Sequence, residues 1–256
     1  MTDLFAVEVI FEIGVPTLVV IMLLSVVTSA IHGATGVAGG FLLAAALAPL
    51  IGVKPVVPVM SVALLISHST RALLNLPEVN WTVFFTICLT GVPCLLAVAF
   101  LYGDLSSTFI AVFLGCVILV SIPIRRWAKA RSVRARKRHL AGIGAVYGGF
   151  SGASIGPGML LLPFMLGYGL TKEAFVATLA MIALVTNVIR VGVFGSTDLL
   201  GNGYLALGLL VGLMTIPGNW IGRTLLRRMT NERHADYLDI LTVLGAINFF
   251  WLAWHS

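Results

Sequence analysis

The sequence predicts an all-α, polytopic membrane protein of two inverted-topology repeats, each with a broken or re-entrant first helix pair and three long transmembrane helices. Three observations lead there. First, 59% of the 256 residues are apolar and 10% are charged, with a mean hydropathy of +1.05. Soluble domains carry about 25% charged residues, so charge is too scarce here to cover a wet surface. Second, the charge that exists is gathered into loops. Third, residues n and n+118 follow one design.

The elements follow in order. A bilayer core takes about 20 apolar residues per helix. The stretches 13–53, 55–70, 79–103, 105–124, 140–171, 174–189, 199–222 and 240–256 contain no Asp, Glu, Lys or Arg. "HGATGVAGG" (His32 to Gly40) interrupts the first of them, predicting a short pair at 13–31 and 38–52. Long helices at 55–75, 81–102 and 107–124 follow. "GGFSGASIGPG" (Gly148 to Gly158) interrupts a later run in the same way, predicting a pair at 140–150 and 157–170. Helices at 172–195, 203–222 and 238–254 complete the chain. The domains are therefore a first repeat at 1–124, a basic linker at 125–139 and a second repeat at 140–256. The acidic start "MTDLFAVEVIFEIG" has no basic n-region, so no cleaved signal peptide is expected. Cys88, Cys94 and Cys116 all lie in apolar runs without metal spacing, which reads as buried small residues.

Charge sets the orientation. "RRWAKARSVRARKRH" (Arg125 to His139) holds eight Lys and Arg and no acid, and "RTLLRRMTNERH" (Arg223 to His234) holds four Arg and one acid. The positive-inside rule puts both in the cytoplasm. Runs of this kind also bind nucleic acid, but helices flank them, and no nucleic-acid partner is expected. Asp3, Glu8 and Glu12 then lie outside with the N-terminus, and Asp104 and Asp198 fall in outer loops. Trp81, Trp127, Trp220, Trp251 and Trp254 sit near run ends, as an interfacial belt requires.

Under the n+118 offset, Gly40 meets Gly158, Leu42 and Leu43 meet Leu160 and Leu161, and Lys54 meets Lys172. Pro93 in "GVPCLL" answers Pro217 in "TIPGNW". Whether a broken pair crosses twice or dips and returns, each half crosses an odd number of times, so the second is inverted. Lys54 and Lys172 then lie on opposite faces, which accounts for Lys54, the one cation the charge rule misplaces. Inverted repeats are a frequent plan of secondary transporters.

The helices beside the breaks have about 12–15 residues, or roughly 18–22 Å, short for a span. Irregular backbone deep in a membrane is tolerated only inside protein or beside a cavity. Inversion brings the two turns together from opposite sides. The helices starting near Ala38 and Pro157 aim N-termini at the meeting place, where free N–H groups favour an anion. Gly39, Gly40, Gly156 and Gly158 admit a ligand close to the backbone. Thr35, Ser151 and Ser154 offer hydroxyls. Glycine also serves helix packing, and Gly144, Gly148 and Gly152 have GxxxG spacing.

His68, Ser69, Thr70 and Arg71 end helix 55–75, and Thr186, Asn187 and Arg190 occupy the matching region of helix 172–195. Ionisable residues inside a membrane mark function. Arg71 is also about 25 Å along its helix from Lys54, where it can snorkel to the interface. His32 and His68 also read as core histidines. All ten acids lie in loops, at termini or at run ends. An interior with Arg, His, hydroxyls and helix tips suits a small anionic solute.

Two other classes compete. "GFSG" (Gly149 to Gly152) matches the GxSG of intramembrane serine proteases, but the histidines after Ser151 are His234 and His255, at a loop and a terminus. A non-transporting membrane subunit is the second. No zinc motif, P-loop or dinucleotide loop is present, so neither a cofactor nor ATP-driven transport is expected. "GLLVG" (Gly208 to Gly212) and "GNWIG" (Gly218 to Gly222) suit packing within one chain or between two copies.

The glycine-rich breaks, the trailing "GVKPVV" and "LTKEAF", and the basic central loop resemble the TauE/SafE family over nearly the whole chain. That resemblance implies a secondary transporter, not an enzyme. It would export sulfite, sulfoacetate or another organosulfonate across the cell inner membrane.

Overall fold

The computed structural model describes residues 13–35, 38–130, 134–155, 157–201 and 203–228, together with Val243, Ile247, Trp251 and Trp254. Among the described residues the secondary structure is helical, with no strand. The helices are α1 (Val15–Thr35), α2 (Ala38–Ile51), α3 (Val53–Leu74), α4 (Trp81–Leu101), α5 (Ser107–Ala130), α6 (Lys137–Ala153), α7 (Gly158–Gly167), α8 (Lys172–Ser196) and α9 (Tyr204–Arg228). Five stretches are long and apolar enough to cross a membrane: α1, α3, α4 continued to Asp104, α8 and α9.

The helices predicted between residues 13 and 222 are present, with three corrections. The first break is narrower than the glycines suggest. α1 runs on through His32 to Thr35, and Thr35 Oγ1 donates back to the Ile31 carbonyl at 2.7 Å. α1 has 21 residues, about 31 Å, and is no short half-helix. α6 likewise extends over 17 residues, whereas α2 and α7, with 14 and 10, stay short. Second, the basic linker is partly helical: α5 continues to Ala130 and α6 begins at Lys137. Third, the cysteines are not buried, since Cys88 and Cys94 are half-buried and Cys116 is exposed. A thiol on an apolar outer face loses nothing against lipid. Apart from Val243, Ile247, Trp251 and Trp254, the expected helix 238–254 lies outside the described residues, as do the acidic N-terminal residues 1–12 and Gly156.

The outer surface is apolar, and the polar side chains lie inside an otherwise apolar interior. Val15, Val19, Leu23 and Val27 form an exposed ridge on α1, and Phe85 and Leu89 are exposed on α4. Buried instead are Ser25, Ser61, His68, Arg71, Thr178, Asn187, Arg190 and Asn219. Several interior hydroxyls bond within their own helices: Ser25 Oγ donates to the Ile21 carbonyl and Ser61 Oγ to that of Val57, each at 2.7 Å. Asn80 and Thr171 cap α4 and α8, accepting from the Val83 and Ala174 N–H groups at 3.1 and 3.2 Å.

Two helix pairs make the most extensive contacts, α1 with α9 and α4 with α6. Both are backbone-to-backbone contacts made by glycine. A Cβ on Gly91 would stand 2.8 Å from the Gly144 carbonyl, and one on Gly148 would strike the Gly91 carbonyl. Across the molecule, a Cβ on Gly218 would strike Ser29 Oγ, and one on Gly222 the Ala30 carbonyl. Small residues let membrane helices approach this closely. α3 and α8 pack against each other between these pairs. Lys54 Nζ donates to the Gly103 carbonyl at 2.6 Å, just past the end of α4. At the opposite end of α4 the Asn80 N–H donates to Thr178 Oγ1, near the start of α8, at 2.9 Å. The beginnings of α3 and α8 therefore lie at opposite ends of α4.

Candidate functional site

Both breaks and the two central helices converge on one cavity of about 40 Å³. Helical spacing explains which side chains reach it. On α8, Leu179, Ala183, Thr186, Asn187 and Arg190 lie on one face, and on α6, Tyr147 and Ser151 do, with Ser154 just beyond. α3 adds Leu64 and His68, four residues apart. The first break contributes His32 and Gly40, and the second Ile155, Pro157 and Gly158. No carboxylate lines the cavity among the described residues, and these residues hold no metal-binding cluster.

Arg190 organises the second break. Its side chain is 4% exposed. Nη1 donates to the Ser151 and Ser154 carbonyls at 3.1 and 2.9 Å, and Nη2 donates to Asn187 Oδ1. These carbonyls belong to the end of α6, where helix geometry leaves oxygens without partners and the dipole favours a cation. Asn187 is itself fixed, with Nδ2 donating to the Ala183 carbonyl at 2.7 Å. Arg190 Nε is buried and has no hydrogen-bond partner among the described residues.

The first break is organised by an imidazole. The Gly40 N–H, in the first turn of α2, donates to His32 Nδ1 at 3.1 Å. The His32 ring packs on His68, with centroids 5.2 Å apart. Arg71 Nη1 lies 3.2 Å from His68 Nδ1, and a guanidinium can only donate. Arg71 is 1% exposed, so it turns inward behind His68 and does not snorkel.

The predicted residues therefore separate. Gly40, His68, Ser151, Ser154, Gly158, Asn187 and Arg190 line the cavity. Arg71 stands behind it. Thr35 is not among the lining residues and is bound to its own helix, as is Ser69, whose Oγ donates to the Leu65 carbonyl at 2.7 Å. Gly39 is a packing glycine, since a Cβ there would strike the Thr28 carbonyl. Gly156 lies outside the described residues. Sequence reasoning left His32 and Tyr147 out of the site, and noted Thr186 and Pro157 beside it without assigning them to the anion. The spacing of Tyr147 and Ser151, four apart on α6, was the available signal. Tyr147 Oη lies 3.4 Å from Thr186 Oγ1, joining α6 to α8.

A cavity with no acid among its described lining residues, set between two helix breaks in a bundle with an apolar exterior, fits an integral membrane protein. Comparison with curated proteins and with solved structures finds no match. The family model described as sulfite exporter TauE/SafE matches residues 21–249, nearly the whole chain. The chain belongs to the TauE/SafE sulfite exporter family of membrane transporters.

Proposed function

We propose that this chain is a secondary transporter that exports a compact sulfur oxyanion, with sulfite as the best fit, through the cavity between its two breaks. The observation that carries the reading is Arg190. It is a buried guanidinium lining a cavity that has no carboxylate among the described residues, and among these its Nε has no hydrogen-bond partner. An anion supplies both the charge and the acceptor. Size narrows the class. One water needs roughly 10–15 Å³ by the same measure, so about 40 Å³ suits a four-atom oxyanion. Sulfoacetate and longer organosulfonates require a wider conformation. Ser151, Ser154, Asn187 and the start of α7 at Gly158 surround the cavity together with the guanidinium, and His68 lines it as well.

The chain reads as two inverted units, 1–124 and 140–256, joined by the basic segment 125–139. The opposite placement of the starts of α3 and α8 along α4, and the paired glycine contacts α1–α9 and α4–α6, support that reading. Alternating access would then come from one unit rocking against the other around the fixed site. The charge pattern favours an inner membrane with the N-terminus outside and the central basic loop in the cytoplasm. A second copy of the chain remains a candidate partner.

Purified protein in liposomes tests this. Sulfite efflux should exceed that of sulfoacetate and of chloride, and R190A should abolish it. Absence of flux and of binding for every anion would overturn the transporter reading in favour of a non-transporting subunit.

A further inference from the structure

We propose that the cavity selects an oxyanion that still carries one proton, and that Tyr147 is the residue that reads that proton. The inference rests on the anion reading above and adds the protonation state of the solute. It follows from the direction of a chain of hydroxyl groups. Thr186 Oγ1 donates to the Ala183 carbonyl of its own helix at 3.0 Å. A threonine hydroxyl has one proton, so toward Tyr147 it can only accept. Tyr147 Oη, 3.4 Å away, is therefore the donor of that pair. Both protons are committed to α8, and Tyr147 Oη has only lone pairs left to offer the cavity that it lines.

Arg190 lines the same cavity with the opposite character. Its Nε is buried with no hydrogen-bond partner among the described residues, and a guanidinium only donates. Ser151 Oγ, one turn from Tyr147 on α6, is also buried without such a partner, and a hydroxyl serves either way. Where Ser151 donates to Tyr147, its own lone pairs head the chain and accept in the same manner. A solute that touches both Arg190 and Tyr147 must accept at one and donate at the other. A singly protonated oxyanion does both: its bare oxygens meet the guanidinium and its O–H meets Tyr147. A fully deprotonated anion sets lone pairs against lone pairs there, a buried mismatch that costs about tenfold or more in affinity. Among the described residues, the titratable groups around Tyr147 are Arg190 on α8, Cys88 on α4, and His68 and His32 on the cavity wall from α3 and α1. The short helix α7 carries none.

The experiment measures affinity by calorimetry, across pH, on the purified full-length protein with three pyramidal oxyanions of like size. Chlorate carries one charge and no proton. Sulfite and selenite each hold a proton on the acid side of their last ionisation, and selenite keeps it to higher pH. Where they are singly protonated, both should bind wild type at least about tenfold more tightly than chlorate. As pH rises past the solute's own ionisation, affinity should fall by up to about tenfold per pH unit, later for selenite than for sulfite. Chlorate has no proton to lose, so its profile reports the protein's groups alone and should stay flat. Y147F should bring all three to within about twofold of one another. T186V, which frees the Tyr147 proton for the cavity, should tighten chlorate. Equal affinity of chlorate and sulfite for wild type would overturn the selection and leave the carrier reading standing, whether or not the variants fold. A fall at one shared pH for all three would also overturn it, by placing the titration in the protein. A preference kept in full by Y147F would take the role from Tyr147. Failure of all three to bind wild type would overturn the carrier reading and the selection together.

Discussion

At the first break, the start of α2 is covered by the His32 imidazole, and the nearby arginine, Arg71, is turned away behind His68. At the second break, the start of α7 lines the cavity with Pro157 and Gly158, and the nearby arginine, Arg190, grips the end of α6 and lines the cavity itself. Both breaks have glycines, a following short helix and an arginine on the next long helix. What differs is the group that occupies the exposed backbone. In the first it is an imidazole that accepts from the Gly40 N–H; in the second it is a guanidinium that donates to the Ser151 and Ser154 carbonyls. Similar sequence designs thus give one helix start held by an acceptor and one helix end held by a donor.

The largest test of that difference sets R190A against R71A. R190A removes charge from the cavity and leaves the Ser151 and Ser154 carbonyls without their donor. Charged hydrogen bonds contribute about 1.5–3 kcal/mol each, so sulfite affinity should fall by at least about 100-fold by calorimetry. R71A should cost about tenfold or less, through loss of the bond that orients His68. Equal losses would erase the distinction between a lining and a supporting arginine.

The packing contacts should behave alike where the breaks do not. G148A and G218A each drive a methyl into a facing backbone or side-chain oxygen. Overpacking of this kind costs about 1–3 kcal/mol, and both variants should melt at clearly lower temperature in detergent. A large loss for one and none for the other would show that the α1–α9 and α4–α6 contacts are not equivalent.

Adjacent glycines sharpen the first break. A Cβ on Gly39 would stand 2.5 Å from His32 Cβ, whereas one on Gly40 would meet Leu64 Cδ2 at 3.4 Å and His32 Cε1 at 3.5 Å, close to ordinary contact. G39A should therefore destabilise by about 1–3 kcal/mol, and G40A by less than about 0.5 kcal/mol. The smallest effect is expected for S154A. Its hydroxyl donates to the Phe150 carbonyl of its own helix, while its main-chain carbonyl holds Arg190. Anion affinity should change by about twofold or less, and a loss as large as that of R190A would show the hydroxyl itself in contact with the anion.

Membrane character, helical class and both interruptions were legible in the sequence, because they depend on properties summed over long stretches. Twenty uncharged residues read as a span whatever their partners, and a chain with no acid in its apolar runs has none to place at its centre. Most of the lining residues came from the same reasoning, since a glycine break and an intramembrane arginine stand out against an apolar background. Bundle packing decided the rest. Arg71 and Arg190 sit in matching positions of matching helices, yet only contacts from other helices aim one at the cavity and the other behind it. Gly39 and Gly40 are neighbours, and only the approach of α1 makes one a packing contact and the other a donor to His32. His32 itself reads as an ordinary core histidine until α2 folds back to place the Gly40 N–H against it. Spacing along one helix gives a direction, whereas the partner a side chain finds there depends on residues far away in the chain.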